Sequence, residues 1–206
     1  MIITMSTTTN FTAKDVQELR QRTGAGMMDA KKALTETGGD MDKAADLLRT
    51  KGIAKAEKRA GREASEGVIG SYIHHNHKVA VLVEVNCETD FVARTDDFKQ
   101  LAKDLAMHIA SAAPLAVDKD GVDPEIVAHE RKIYEQQVRE SGKPENLVAK
   151  IVDGKVEAYY KEVALLSQAW IREPKKTIGD LVKETSAKLG ENVTVKRFVR
   201  FQLGQG

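Results

Sequence analysis

Few residues in this 206-residue chain have the type and spacing that covalent or metal chemistry requires. Cys87, the single cysteine, is the one candidate thiol nucleophile. A reactive thiolate needs a nearby base and a positive field. The neighbouring sequence supplies neither, so a small packed thiol is expected. His74, His75 and His77 stand together. Three imidazoles on one short turn converge poorly on an ion without a further ligand, so a polar turn is expected. His129-Glu130 lacks the second histidine of a zinc-binding helix. There is no Gly-x-x-x-x-Gly-Lys-Ser/Thr loop, no Gly-x-Gly-x-x-Gly and no Gly-x-Ser-x-Gly. The expectation is a protein without metal, cofactor or covalent catalysis.

Two other segments have residue types suited to contact. Arg22-Thr23-Gly24-Ala25-Gly26-Met27-Met28 reads either as a helix–helix turn with glycine supplying unusual dihedrals or as a low-profile surface. In the second case small residues admit another backbone and Met27 or Met28 adapts to it. Thr89-Asp90-Phe91-Val92 lies between a strand pattern and a helix pattern. Phe91 there either tucks into its own core or is an aromatic anchor for a partner, flanked by an acid that accepts hydrogen bonds.

The elements that must hold these segments follow from period and caps. Residues 12–51 read as three short helices. Thr12 starts the first, with Asp15 as a capping-box partner. The second begins near Met28, and Asp40 caps the third. Residues 49–66 are rich in Arg and Lys and read as an exposed, partly helical linker. It is either a solvated charged face or a contact for an acidic surface. From Gly67 the period changes to two. Gly67–Ile73 and Lys78–Val85 are expected strands, with Val79, Val81, Val83 and Val85 on one buried face. Thr95 caps a helix whose stripe is Phe98, Leu101, Ala102, Leu105 and Ile109. Asp123-Pro124 opens another. Residues 145–164 hold further helix, Thr177–Leu189 is helical, and Val193, Val195, Val199, Phe201 and Leu203 mark a last strand interrupted at Arg197.

The expected fold is α+β: a three-helix N-terminal domain (11–51) after a flexible N-terminus (1–10), a basic linker (52–66), and a core of antiparallel sheet and helices (67–206). Basic and acidic residues nearly cancel, 32 against 31, giving a net charge of +1. With aromatics at only 5%, this disfavours a protein held to nucleic acid by bulk charge or by base stacking. No secretory signal or membrane-spanning run is seen, and one cysteine permits no intrachain disulfide. A cytoplasmic protein is expected.

The segments Arg22 to Leu34 and Asn86-Cys87-Glu88-Thr89-Asp90-Phe91-Val92-Ala93 resemble the two signatures of the elongation factor Ts family, in order and at the right separation. Glu66-Gly67-Val68-Ile69 between them is also similar. The resemblance is clear from about residue 11 to 110 and weaker beyond. It implies a ubiquitin-associated-like N-terminal domain joined to an α+β core, and guanine nucleotide exchange on elongation factor Tu. It assigns Arg22, Thr23, Gly24, Ala25, Gly26 and Met27 to contact with that GTPase. It assigns Asp90 and Phe91 to the element that intrudes near the magnesium and phosphate site, with Thr89 and Val92 beside them also binding that partner. Longer members carry an enlarged core with a helical coiled-coil insertion, and the chain after residue 140 leaves little room for either. A short form resembles half of the longer core, so a homodimer is expected, with Val193–Leu203 as a candidate interface strand. Neither direct nucleic-acid binding nor a membrane partner is implied. The competing reading is a helical binding module whose basic linker contacts RNA or another protein.

Overall fold

The computed structural model describes residues 10–205. The chain divides into two compact units: residues up to Arg62 together with Lys183–Asn192, and Glu63–Val182 together with Val193 onward. The expected flexible N-terminus lies outside the described residues, apart from Asn10.

The first unit contains α1 (Ala13–Thr23), α2 (Met27–Glu36) and α3 (Met41–Glu57). Thr12 and Asp15 form a complete capping box on α1, and Asp40 caps α3 through the amides of Asp42 and Lys43. Those caps hold both carboxyls below the ordinary range; the first cause is the Thr12 amide for Asp15 and the Lys43 amide for Asp40. Val16, Leu19, Ala30, Ala33, Leu34, Ala44 and Leu48 form the core. Helix α3 does not stop near residue 51. It runs to Glu57, into the segment expected as linker. Three of the basic residues of 49–66 are matched within this unit: Lys51 with Glu36 at 2.7 Å, Lys55 with Asp29 at 3.0 Å and Arg49 with Glu184 at 2.5 Å. The Arg59 guanidinium donates to the Ser186 carbonyl at 2.9 Å, and Asn192 donates to the carbonyl of Arg62 at 2.7 Å. Lys183–Asn192 therefore belongs with this unit, which the period of the sequence alone does not reveal.

The second unit is built on a sheet of β1 (Glu66–Ile73), β2 (Val79–Cys87) and, far along the chain, β5 (Thr194–Gln202), in the order β1-β2-β5 and antiparallel throughout. Between them lie α4 (Asp90–Ala93), α5 (Asp96–Ala112), α6 (Pro124–Glu140), α7 (Glu145–Val163), the hairpin of β3 (Ala169–Trp170) with β4 (Glu173–Thr177), and α8 (Ile178–Leu189). The inner sheet face carries Val81, Val83 and Val85, and α5 packs on β1 and β2 with Phe98, Leu101, Leu105 and Ile109 buried. Gly70 allows the approach: a Cβ there would lie 2.6 Å from the Ala102 carbonyl oxygen. Of α8, Ile178–Val182 belongs to this unit and the rest to the first.

The last strand forms as expected, and its break at Arg197 has a consequence: Val193, Val195, Val199, Phe201 and Leu203 do not share a face. Glu84 pairs with Arg197 but Val85 pairs with Val195, so Lys196 is an extra residue in a bulge. The bulge reverses the alternation. Val193 and Val195 are buried, whereas Val199, Phe201 and Leu203 are exposed. They join Ile69, Ile73 and Leu82 on the outer face, where the rows read Ile73–Ala80–Phe201, Ser71–Leu82–Val199 and Ile69–Glu84–Arg197. The helices expected from Asp123-Pro124 to about Glu140 and over 145–164 both form, and they pair. Helices α6 and α7 pack together through Val138, Val148, Val152 and Val156. Arg131–Asp153 at 2.8 Å and the Lys155 ammonium over the Tyr134 ring bind their flanks. Gly154 does not interrupt α7.

A buried polar chain ties α5 to the β3–β4 hairpin. His108 Nδ1 accepts from the amide of Ile171 at 3.4 Å, so the Nε2 proton points to the Gln168 side-chain oxygen at 2.9 Å. Gln168 donates in turn to the Glu162 carbonyl at 2.6 Å. Burial pushes the His108 imidazole below its ordinary range, against the Gln168 hydrogen bond.

Candidate functional site

The site residues fall in two short segments, one in each unit. In the first unit, the Thr23 hydroxyl donates to the Leu19 carbonyl at 2.7 Å and accepts the Ala25 amide at 3.3 Å, folding the chain back on the end of α1. Gly24 adopts φ +69° and its amide closes α1 on the Arg20 carbonyl at 2.8 Å. A Cβ there would also meet the Lys188 Cγ at 2.7 Å. Ala25 packs against the three-helix core. Gly26 begins α2 without a side-chain cap and with open space around it. Met27 and Met28 follow on the surface, Met28 at 75% exposure. Arg22 is engaged with Asp42 at 2.8 Å, both side chains exposed. The segment is thus a tight, glycine-lined turn ending in two exposed thioethers. Of the two methionines that the sequence offers as an adaptable contact, Met28 is the more exposed.

In the second unit, β2 ends at Cys87 and the chain turns at once into α4, a single helical turn. Thr89 caps it, its hydroxyl accepting the Val92 amide at 3.3 Å. Val92 and Ala93 face inward, with Val92 6% exposed. Val92 therefore anchors the turn through the core. Asp90 pairs with Arg94 at 2.7 Å. Phe91 is 78% exposed. Of the two readings of Phe91, burial in its own core is excluded.

The residues weighed for covalent chemistry have structural surroundings. Cys87 is fully buried, and its thiol donates to the Thr89 carbonyl at 3.2 Å. His74 Nδ1 meets the Tyr72 hydroxyl at 3.0 Å, with the His75 ring 4.2 Å from the His74 ring. Among the described residues no group of three His, Cys, Asp or Glu side chains is arranged to hold a metal ion, and no helix is long and apolar enough to cross a membrane. Sequence reasoning missed the outer face of the sheet. Its signal was present in Ile69 and Ile73 on one side of β1 and in Leu82 out of phase with the buried valines.

Fold and site together define an α+β protein with two exposed segments, a glycine turn on the helical unit and an outward aromatic on a capped turn of the sheet unit. The family model described as elongation factor TS matches residues 6–205. The chain is 59% identical over 194 residues to elongation factor Ts of Nitratidesulfovibrio vulgaris, covering 94% of this chain and 97% of that protein. It is 59% identical to elongation factor Ts of Oleidesulfovibrio alaskensis, covering 94% and 98%. It is 53% identical to elongation factor Ts of Geotalea daltonii, covering 96% and 91%. The chain belongs to the elongation factor Ts family.

Proposed function

We propose that the chain is the guanine nucleotide exchange factor of elongation factor Tu, acting in the cytoplasm by contact and without covalent chemistry. The glycine turn, Arg22 to Met27, docks on the nucleotide-binding domain, and Asp90 and Phe91 press near the magnesium and phosphate site. The observation that carries this reading is Phe91, a large aromatic held 78% exposed on a turn whose neighbours are buried. A P-loop GTPase holds its diphosphate through loop amides, a lysine and a magnesium ion. An aromatic that displaces the element shaping that site weakens all three. Coupling is reciprocal, so a factor that prefers the empty GTPase lowers diphosphate affinity by the same ratio. A preference of about two orders of magnitude corresponds to a coupling of roughly 3 kcal/mol. The internal pairing of Arg49, Lys51 and Lys55 supports this reading over a module that holds RNA by charge. The test is release of a fluorescent GDP from elongation factor Tu. Acceleration by this protein is expected, and an unchanged release rate overturns the proposal.

We also infer that two chains pair through the sheet. The outer face presents Ile73, Leu82, Val199, Phe201 and Leu203 to solvent, and β5 is an edge strand. Sheets with apolar outer faces pack face to face at about 10 Å, and a two-fold pairing uses the same patch twice. A monomeric mass at micromolar concentration refutes it.

A further inference from the structure

We infer that Thr95 is a positioning residue for the exposed turn and sets the direction in which Phe91 is presented; this rests on the proposed reading of Phe91 as the element that faces the GTPase. With 78% of its surface exposed, Phe91 has little packing to fix it. Its direction is set by the backbone of α4, which at four residues is too short to persist alone. Side chains at both ends hold that backbone. On the entry side the Cys87 thiol donates to the Thr89 carbonyl at 3.2 Å, and the Thr89 hydroxyl accepts the Val92 amide at 3.3 Å. On the exit side the Thr95 hydroxyl donates to the Val92 carbonyl at 2.7 Å and accepts the Phe98 amide at 3.3 Å. The Thr95 amide reaches the same carbonyl at 3.0 Å.

Thr95 differs from the other two in what it connects. One hydroxyl, using its donor and an acceptor lone pair together, closes the turn that bears Phe91 and opens α5. Helix α5 is the stiff body here, since Phe98, Leu105 and Ile109 are fully buried beneath the sheet. Through this side chain the exposed turn becomes an extension of a packed helix. A contact surface placed on a rigid element loses less freedom on docking, and its geometry is held when it must push.

Three substitutions in the full chain separate this role from plain helix capping. Thr95→Ser keeps both hydrogen bonds. Thr95→Val removes both. Thr95→Asp keeps an acceptor for the Phe98 amide, and so the cap of α5, but has no proton for the Val92 carbonyl. Fluorescent GDP release is followed against factor concentration, beside thermal unfolding of each variant. Loss of folded protein alone raises the apparent half-saturating concentration and leaves the saturating rate intact. The expected result is a saturating rate lowered about three- to tenfold in Thr95→Val and Thr95→Asp, the span of one lost hydrogen bond. Thr95→Ser stays at the parent rate, and Thr95→Asp unfolds near the parent temperature. If Thr95→Val does not fold, Thr95→Asp carries the test. An unchanged saturating rate in Thr95→Asp, with Phe91→Ala slowed in the same assay, overturns the positioning role. If Phe91→Ala is also unchanged, it is the reading of Phe91 that fails.

Discussion

Replacing Phe91 by alanine removes the feature on which the proposed exchange activity depends. A phenylalanine side chain can bury roughly 150–250 Å2. With 78% of Phe91 exposed, nearly all of that area is free to be buried by a partner. At about 25 cal/mol per Å2 the area corresponds to roughly 3–5 kcal/mol, and alanine retains a small part of it. After the ordering costs of association, a loss of about 2–4 kcal/mol remains, the range of an interface hot spot. The isolated fold should barely notice, because the ring contributes little to its own core and α4 is anchored instead by Val92 and Ala93. The assay is stopped-flow release of fluorescent GDP from elongation factor Tu, with thermal unfolding as control. Expected are a saturating release rate lowered by at least tenfold and an unfolding midpoint within a few degrees of the parent. Phe91→Leu should fall between the two. A release rate within twofold of the parent, from a folded Phe91→Ala protein, refutes the reasoning.

Other perturbations probe other parts of the molecule. Gly26→Ala should fold, since the position has φ −62° and open space, yet raise the half-saturating concentration for GDP release; a twofold change or less argues against docking there. Gly24→Ala should instead lower the unfolding midpoint, because φ +69° and the nearby Lys188 side chain cost roughly 1 kcal/mol or more. Phe201→Lys, on the outer face at 64% exposure, should convert a sedimenting dimer to monomer without unfolding it; an unchanged mass refutes the face-to-face pairing. His108 is neutral in the fold with its imidazole pushed down by burial, so the unfolded chain takes up a proton first. Stability is then full above about pH 6.5 and falls as pH drops below it, by at most about 1.4 kcal/mol per pH unit from this group. His108→Gln should flatten the unfolding midpoint between pH 7.5 and 5.5 relative to the parent.

How much of this was legible in the sequence depended on how local the cause was. Thr12, Asp40, Thr95 and Asp123 announce their helices because a cap is decided within three or four residues. The β1–β2 hairpin is equally local. The bulge at Lys196 is not. It is fixed by pairing with β2, more than a hundred residues earlier, and one extra residue moves Phe201 from the buried to the exposed side. The α6–α7 pairing was hidden for a related reason. Val148, Val152 and Val156 show a helical stripe, but what covers that stripe is Val138 across a loop. Nor does any period in the sequence assign Lys183–Asn192 to the helical unit. That depends on Arg49, Arg59 and Asn192 finding partners at long range. Phe91 was the instructive case. Pattern alone left it between core and surface, and only the inward turn of Val92 and Ala93 decides it.

On the proposed reading, the two segments have different thermodynamic duties. Contacts made equally to the GDP-bound and empty GTPase add affinity but shift no equilibrium between them. The glycine turn, with its flat profile and adaptable methionines, suits that common contact. Only groups whose partner surface changes when the diphosphate leaves can lower its affinity, and Asp90 and Phe91 are the candidates. Strong fixed charge at either segment would work against turnover by holding the factor to both states. The charges present are instead already occupied, Asp90 by Arg94 and Arg22 by Asp42. Exposed pairs of this kind contribute about 0–1 kcal/mol each and exchange partners at little cost. On that reading a near-neutral surface, with Phe91 presented on a capped turn, favours a complex that forms on the GDP state, is tightest on the empty state, and releases when nucleotide returns.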